Sequence, residues 1–324
     1  MMSGAKGIEM KEDIMSASFE EIIARVKSLP AKKLSIAVAQ DGRVLEAAAR
    51  AKELGIAVPV LFGNEQMIRD IARERGVALD GMEIVDEEDD QKASLKAVGL
   101  VHDGDAEMYM KGELPTSMFL KSVLNKECGL RTGKTLSHVC IFEIPGIDRL
   151  LFLSDVAFLP YPTLEDKEQI INMDVRVATA CGIENPKVAP LAAVEVVNPK
   201  MPATVEADQL ARWNLEGRIK NCIVDGPLSL DLAIDPAAAA HKPGAENRRI
   251  VGDADILLFP DIHAGNLVYK AITHLTPGVR NGNILMGTKA PVVLTSRSDS
   301  VEVKVNSLAV AAVVAEQLKA AGWD

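Results

Sequence analysis

Short unbroken apolar runs recur along the chain and alternate with stretches whose apolar residues fall at helical spacing. The runs 34–39 (LSIAVA), 57–62 (AVPVLF), 137–144 (SHVCIFEI), 149–154 (RLLFLS), 188–195 (VAPLAAVE), 254–259 (ADILLF) and 291–295 (PVVLT) predict strands. Strands covered by helices on both faces have this continuous pattern, whereas half-solvated strands alternate. Between them, 42–54 (GRVLEAAARAKEL) predicts a helix ending at Gly55, and 64–75 (NEQMIRDIARER) one capped by Asn64 and ending at Gly76. A last helix is predicted over about 301–321, before Gly322. Over 281–287 a helical stretch is expected, broken by Gly282 and Gly287. Strand–helix alternation throughout predicts α/β architecture.

A length of 324 residues accommodates two α/β domains or one large one. Lys plus Arg total 36 against 46 Asp plus Glu, a net charge of −10, which argues against a general nucleic-acid binder. A small anionic ligand needs only a local positive pocket and stays compatible with that charge. The four cysteines, 128, 140, 181 and 222, have no CxxC or metal-clip spacing, so reduced thiols are expected rather than a disulfide scaffold or zinc finger. The first residues, MMSGAKGIEMKEDIMSASFEE, contain no apolar signal region, and nowhere do 18 apolar residues run together. A cytoplasmic chain with no membrane partner is the expectation.

Several suggestive motifs fail on their own chemistry. Gly133-Lys134-Thr135 lacks the glycine that a phosphate loop needs five positions before Gly133, where Cys128 stands, and a strand rather than a helix is predicted to follow. His263 and His274 are eleven apart, which suits no single-helix metal site. Asp231 and Asp235, at i and i+4, fit helix capping better than a shared cation, and the acidic run 86–90 fits a solvated helix start. No bound metal is expected.

Two stretches carry candidate chemistry. In 254–274 (ADILLFPDIHAGNLVYKAITH) a strand leads through a tight loop into a helix. There Gly265 would permit close approach of a ligand, Asn266 would cap the helix, and Lys270 would add positive charge one turn on. In 281–304 (NGNILMGTKAPVVLTSRSDSVEVK) a buried strand delivers Ser296, Arg297 and Asp299 at its carboxyl end, where open α/β sheets bind ligands. Arg297 has the fork geometry for a phosphate, and Ser296 can donate to a developing oxyanion. The alternative is a hydroxyl-braced turn and helix cap with Arg297 on the surface.

In these stretches, and in 129–156 (GLRTGKTLSHVCIFEIPGIDRLLFLSDV) and 224–235 (VDGPLSLDLAID), the sequence resembles the phosphate acetyl/butyryltransferase family, its butyryl branch in particular. The resemblance implies two α/β domains with a central cleft, like isocitrate and isopropylmalate dehydrogenases, with residues 1–130 plus 285–324 forming one and 131–284 the other. It implies reversible acyl transfer between coenzyme A and inorganic phosphate, by direct attack in a ternary complex. Coenzyme A would be a substrate with no tightly bound cofactor, and the assembly a homodimer or higher homo-oligomer. The implied catalytic residues are Ser296, Arg297 and Asp299. The implied substrate contacts are Thr116, Lys121, Gly265, Asn266, Lys270 and Gly287. Acetyl relatives carry an Asp six positions after the Arg; here that position is Val303, so Asp299 is the expected base. They also carry an Arg where counting five from Thr116 gives Lys121, which supplies charge without a planar fork. An acetyl-specific enzyme, a metal- and NAD(P)-dependent hydroxyacid dehydrogenase on a similar fold, and a non-catalytic binder of coenzyme A or phosphate remain the alternatives.

Overall fold

The computed structural model describes residues 18–321; the readings of the N-terminal residues before Ser18 and of Gly322 lie outside them. In chain order the main elements are α1 (Phe19–Lys27), β1 (Lys32–Ala37), α2 (Gly42–Glu53), β2 (Ala57–Gly63), α3 (Glu65–Arg75), β3 (Glu83–Asp86), α4 (Asp90–His102), β4 (Met108–Lys111) and α5 (Thr116–Val123). They continue with β5 (Ser137–Glu143), β6 (Leu150–Ser154), α6 (Leu164–Cys181), β7 (Lys187–Pro190), α7 (Pro202–Leu215), β8 (Ile223–Val224), α8 (Leu230–Ile234) and α9 (Pro236–His241). The last are β9 (Ile256–Leu258), α10 (Ile262–Leu275), β10 (Arg280–Met286), β11 (Val292–Val293) and α11 (Val301–Ala321). The expected α/β architecture is present, with Asn64 capping α3 through Met67 N and Asp89 capping α4 from within the acidic run.

All strands share one sheet, in the order β3-β2-β1-β4-β11-β10-β5-β6-β9-β7-β8. Strands β3, β2, β1, β4 and β11 are mutually parallel, and so are β6, β9, β7 and β8. Between these halves β11–β10, β10–β5 and β5–β6 pair antiparallel, so the halves run in opposite directions. Val292 lies opposite Leu285, Ile284 opposite Val139, and Cys140 opposite Leu153. Stepping one residue along each ladder puts Val293 and Ser154, the last residues of β11 and β6, in one cross-sheet row through Ile284 and Val139. The loops leaving the carboxyl ends of both halves therefore start from the same row of the sheet.

Three expectations are corrected. Residues 280–286 form β10 and not a broken helix: its Asn281 and Asn283 are buried, and α11 packs on its backbone at Gly282, where Asn306 Nδ2 donates to Asn281 O at 3.2 Å and Asn283 N donates to Ser307 Oγ at 2.8 Å. The strand begun at 188 ends at Pro190. The loop of 260–266 is shorter than expected, because α10 starts at Ile262 with Asp261 as its cap, accepting from His263 N at 2.9 Å and Ala264 N at 3.0 Å. Asn266 is inside that helix.

Gly287 closes β10 with φ +93°, and a Cβ there would lie 2.1 Å from the Thr135 carbonyl oxygen. Thr132 Oγ1 also donates to Gly287 O at 2.5 Å. Gly287→Ala must both hold a left-handed backbone and displace backbone, and is expected to destabilise by about 2–4 kcal/mol. A urea denaturation curve checks this; an unchanged midpoint contradicts it.

Candidate active site

The polypeptide leaving β11 turns sharply before α11. Asp299 Oδ2 accepts from Ser296 N at 2.7 Å, Asp299 N donates to Ser296 O at 3.2 Å, and Ser298 N donates to Ser296 Oγ at 3.3 Å. Ser300 Oγ accepts from Val303 N at 3.2 Å, so Ser300 caps the start of α11. The turn is therefore the hydroxyl- and carboxylate-braced structure that short polar residues favour. That fold does not hide its side chains, because Ser296 is exposed and Asp299 half-buried.

Under the turn lies a basic floor. Lys304, 2% exposed, donates to Thr295 Oγ1 and Ser296 O, both at 3.0 Å. Lys111 at the end of β4 is buried and donates to Gly112 O at 3.2 Å. Burial lowers the pKa of both ammonium groups, with the Arg297 charge adding to the effect at Lys111. Arg43 Nη1 donates to the carbonyls of Arg297 and Ser298, each at 3.0 Å. Arg297 itself pairs with Glu113, Nε to Oε1 at 3.0 Å, and borders a water-sized cavity with Asp41, Lys111, Glu113 and Lys304.

On the other side of the turn opens a cavity of about 260 Å³. Thr116 from α5, Asn266 and Lys270 from α10, and Ser296 and Asp299 all line it. Five of the nine residues singled out in the sequence thus meet in one wall. Asn266 and Lys270 are one turn apart on α10, and Asn266 Nδ2 donates to Val156 O at 3.0 Å, tying the helix to the loop after β6. Gly265 is needed for that packing: a Cβ would come within 2.3 Å of Asp155 O. Val156, Ala157, Leu294 and Tyr269 supply an apolar side to the cavity.

Three of the nine stand apart from this wall. Arg297 faces the small neighbouring cavity, Lys121 is exposed on α5, and Gly287 packs against Thr135. Conversely, the sequence reading missed Lys304, Lys111, His138 and Asn283. His138 and Asn283 come from β5 and β10 and complete the cavity wall. Burial depresses the His138 pKa to about 4, with a small opposing effect from the Leu294 backbone. No sequence signal distinguishes His138 from an ordinary strand residue.

Among the described residues no group of three or more His, Cys, Asp or Glu side chains is placed to hold a metal ion. Asp235 caps α9 as expected, accepting from Ala237 N at 2.8 Å, whereas Asp231, in the first turn of α8, pairs with Lys242 at 2.8 Å. Gly133-Lys134-Thr135 precedes β5 rather than a helix, and Thr135 Oγ1 donates to Asp166.

Residues 18–94 and 91–312 match the family described as "Phosphate acetyl/butaryl transferase". The chain belongs to this family and is an acyltransferase. It is 55% identical over 301 residues to a phosphate butyryltransferase of Clostridium acetobutylicum, covering 93% of this chain and 99% of that one. A phosphate acetyltransferase of Thermotoga maritima is 44% identical over 284 residues, 88% of this chain and 95% of that one. Among solved structures, a branched-chain phosphotransacylase from Enterococcus faecalis superposes with a TM-score of 0.76 at 34% identity, covering 88% and 99% of the two chains. A 4-hydroxythreonine-4-phosphate dehydrogenase from Klebsiella pneumoniae, 13% identical with a TM-score of 0.52 over 88% of this chain and 100% of that one, shares the fold alone.

Because His138 is neutral when folded down to about pH 4, whereas a free imidazole titrates at 6.5, the unfolded chain takes up the proton first on acidification. Its contribution to stability is whole above pH 6.5 and is lost as pH falls toward 4. Each unit of difference is worth about 1.4 kcal/mol, so the parent should lose about 2–3 kcal/mol more than His138→Gln between pH 7 and 4.5. Denaturant titrations of both proteins at the two pH values measure the difference; equal losses contradict it.

Proposed function

We propose that this acyltransferase moves a short acyl group, butyryl by preference, between coenzyme A and inorganic phosphate. The observation that carries the reading is the meeting of the Ser296–Asp299 turn, set on the Lys111–Lys304 floor, with the Asn266–Lys270 face of α10 around one cavity. Arg297 is assigned the phosphate, Ser296 the acyl oxygen, and Asp299 the proton of the coenzyme A thiol in the reverse direction. Thr116, Asn266 and Lys270 are assigned substrate contacts, with Lys121 and the backbone near Gly265 and Gly287 in supporting places. In the acyl-CoA direction the nucleophile is already an anion, so alignment matters more than a strong base. The reverse direction needs the thiol ionised, at an ordinary pKa of roughly 8.5.

Attack within a ternary complex fits the cysteines better than a covalent acyl-enzyme. Cys140, Cys181 and Cys222 are buried, and burial holds their thiols up, to about 12 for Cys181 and about 11 for Cys222. Coenzyme A is on this reading a substrate, and no tightly bound cofactor takes part. The apolar cavity side formed by Val156, Ala157 and Leu294 suits an alkyl chain, and the 55% identity to a butyryltransferase favours the longer one. Acetyl transfer is the second reading, favoured by the Thermotoga relative.

The same reading includes two lobes, 1–130 plus 285–324 and 131–284, meeting at a cleft; the two oppositely directed parallel half-sheets support that division. It includes a homodimer or higher homo-oligomer, supported by the exposed Leu267 and Leu275 on α10 and by exposed Val196 and Leu215. It places the enzyme in the cytoplasm. No helix among the described residues is long and apolar enough to cross a membrane.

A thiol-reactive dye following coenzyme A release should show a phosphate-dependent rate, faster with butyryl-CoA than acetyl-CoA and unaffected by a chelator. No release from any acyl-CoA contradicts the function, and release from acetyl-CoA alone moves the substrate. Arg297→Ala should cost on the order of 10²–10³ in rate in both directions. Asp299→Ala should slow acyl phosphate consumption most, by about 10²–10⁴; equal small effects in both directions contradict its role as base.

A further inference from the structure

We propose that His138 is a catalytic residue of this acyl transfer: as a neutral Nε2–H imidazole it donates from the cavity wall to the acyl oxygen as negative charge develops there. The proposal rests on the acyl-transfer reading. Its starting point is an unmet hydrogen-bonding group in the right place. His138 is 8% exposed and lines the cavity beside Ser296 and Asp299, yet its Nε2 has no hydrogen-bond partner. Asn283 Oδ1, on the neighbouring strand in the same wall, is also buried without one. Buried polar atoms are nearly always partnered, and of the six exceptions among the described residues these two belong to residues that line one cavity.

The other ring nitrogen lies beside a proton donor. Nδ1 lies 3.4 Å from Cys140 Sγ, two residues along the same strand face. Cys140 is wholly buried, and its thiol is held well above its usual range, first by burial and then by the charges of Asp155, Asp299 and Asp174. It keeps its proton and can donate it to Nδ1, and the proposal assigns the ring hydrogen to Nε2 on that basis. Phe158 covers the imidazole, ring centroids 6.1 Å apart. The ionisable groups around it are Cys140 on its own strand, Asp155 after β6, and Tyr269, Lys270 and Asp299 across the cavity. Burial outweighs the one opposing effect, from the Leu294 backbone, and keeps His138 neutral through the physiological range.

The step balances without a proton on or off His138. A phosphate oxygen bonds to the thioester carbon, and the C=O π pair moves onto the acyl oxygen, where Nε2–H meets it beside Ser296. The pair returns, the C–S bond breaks, and the sulfur leaves with its electrons. The proton of the hydrogen phosphate ends on the thiol, giving acyl phosphate and coenzyme A. A neutral donor suits this task, because its proton is not given up to the oxyanion it stabilises.

The test compares the full chain with His138→Leu and His138→Gln in the coenzyme A release assay. His138→Leu should lose on the order of 10²–10³ in kcat, with KM for phosphate and acyl-CoA within about threefold. His138→Gln, which keeps a donor near Nε2, should recover about tenfold or more of that loss. The pH profile should keep its shape in all three proteins. A leucine variant within about threefold of the parent kcat overturns the proposal, as does a rise in KM alone or a pH limb that disappears in His138→Gln. Should His138→Leu fail to fold, ¹⁵N shifts of the histidine-labelled parent decide, with His138 identified by its loss in the glutamine variant. A neutral Nε2–H tautomer from about pH 5.5 to 8 supports the proposal; an Nδ1–H tautomer or an imidazolium overturns it. A parent that releases no coenzyme A overturns the acyl-transfer reading and this inference together, whereas an active parent with an unimpaired leucine variant overturns this inference alone.

Discussion

The antiparallel pairing of β10 with β5 is the constraint on which the rest depends. Seven residue pairs, from Arg280 opposite Glu143 to Met286 opposite Ser137, join two half-sheets that run in opposite directions. The join decides where both halves stop, since Val293 and Ser154 end in one row across it. Loops from the carboxyl ends of both halves thereby reach a single cavity, and the joining strands add His138 and Asn283 to its wall. Side chains alternate along a strand, so a slip of one residue would turn both away and collapse the shared row. The buried face that α11 lays on β10, through Asn306 and Ser307, makes such a slip costly.

Electrostatics then gives the cavity's neighbourhood its sign. Lys111 and Lys304 bury their ammonium groups close to Arg297, although like charges brought together in a low-dielectric place repel. They are kept there by the packing of β4 and α11 and by hydroxyl and carbonyl acceptors, with Asp41, Glu113 and Asp299 as partial counterweights. A chain carrying net negative charge thus holds a fixed positive spot next to a polar turn. Such donors need no rearrangement when an anion arrives.

Much of this was legible in the sequence, and the exceptions have physical causes. Unbroken runs such as LSIAVA and RLLFLS announced strands covered on both faces, and Asn64 and Gly76 bounded α3 as expected. Strand β4, Met-Tyr-Met-Lys, escaped notice because it is four residues long with no β-branched side chain and ends in a charge that the fold buries. Strand β10, Arg-Asn-Gly-Asn-Ile-Leu-Met, has a turn-like composition that only contact with α11 makes sense of. In the site, Ser296, Asp299 and Lys270 were legible because a strand end and a helix face place them locally. Lys304 and His138 were not, because what sets them apart is how deeply long-range packing buries them. Asn266 was noticed for the wrong reason, since Asp261 caps α10 and Asn266 braces the helix against Val156.

The ion pair between Arg297 and Glu113 has a consequence for how tightly the site can hold anything. An incoming anion does not meet a bare guanidinium; it has to displace a carboxylate already in place. Glu113 is in this sense a tethered competitor, present at a concentration that dilution cannot lower. It would subtract its own attraction from any anion assigned to Arg297 and return to the guanidinium as that anion departs. On the proposed assignment of phosphate to Arg297, weak binding there is a built-in property of the loop that follows β4, and it favours rapid exchange between the anion consumed and the anion produced.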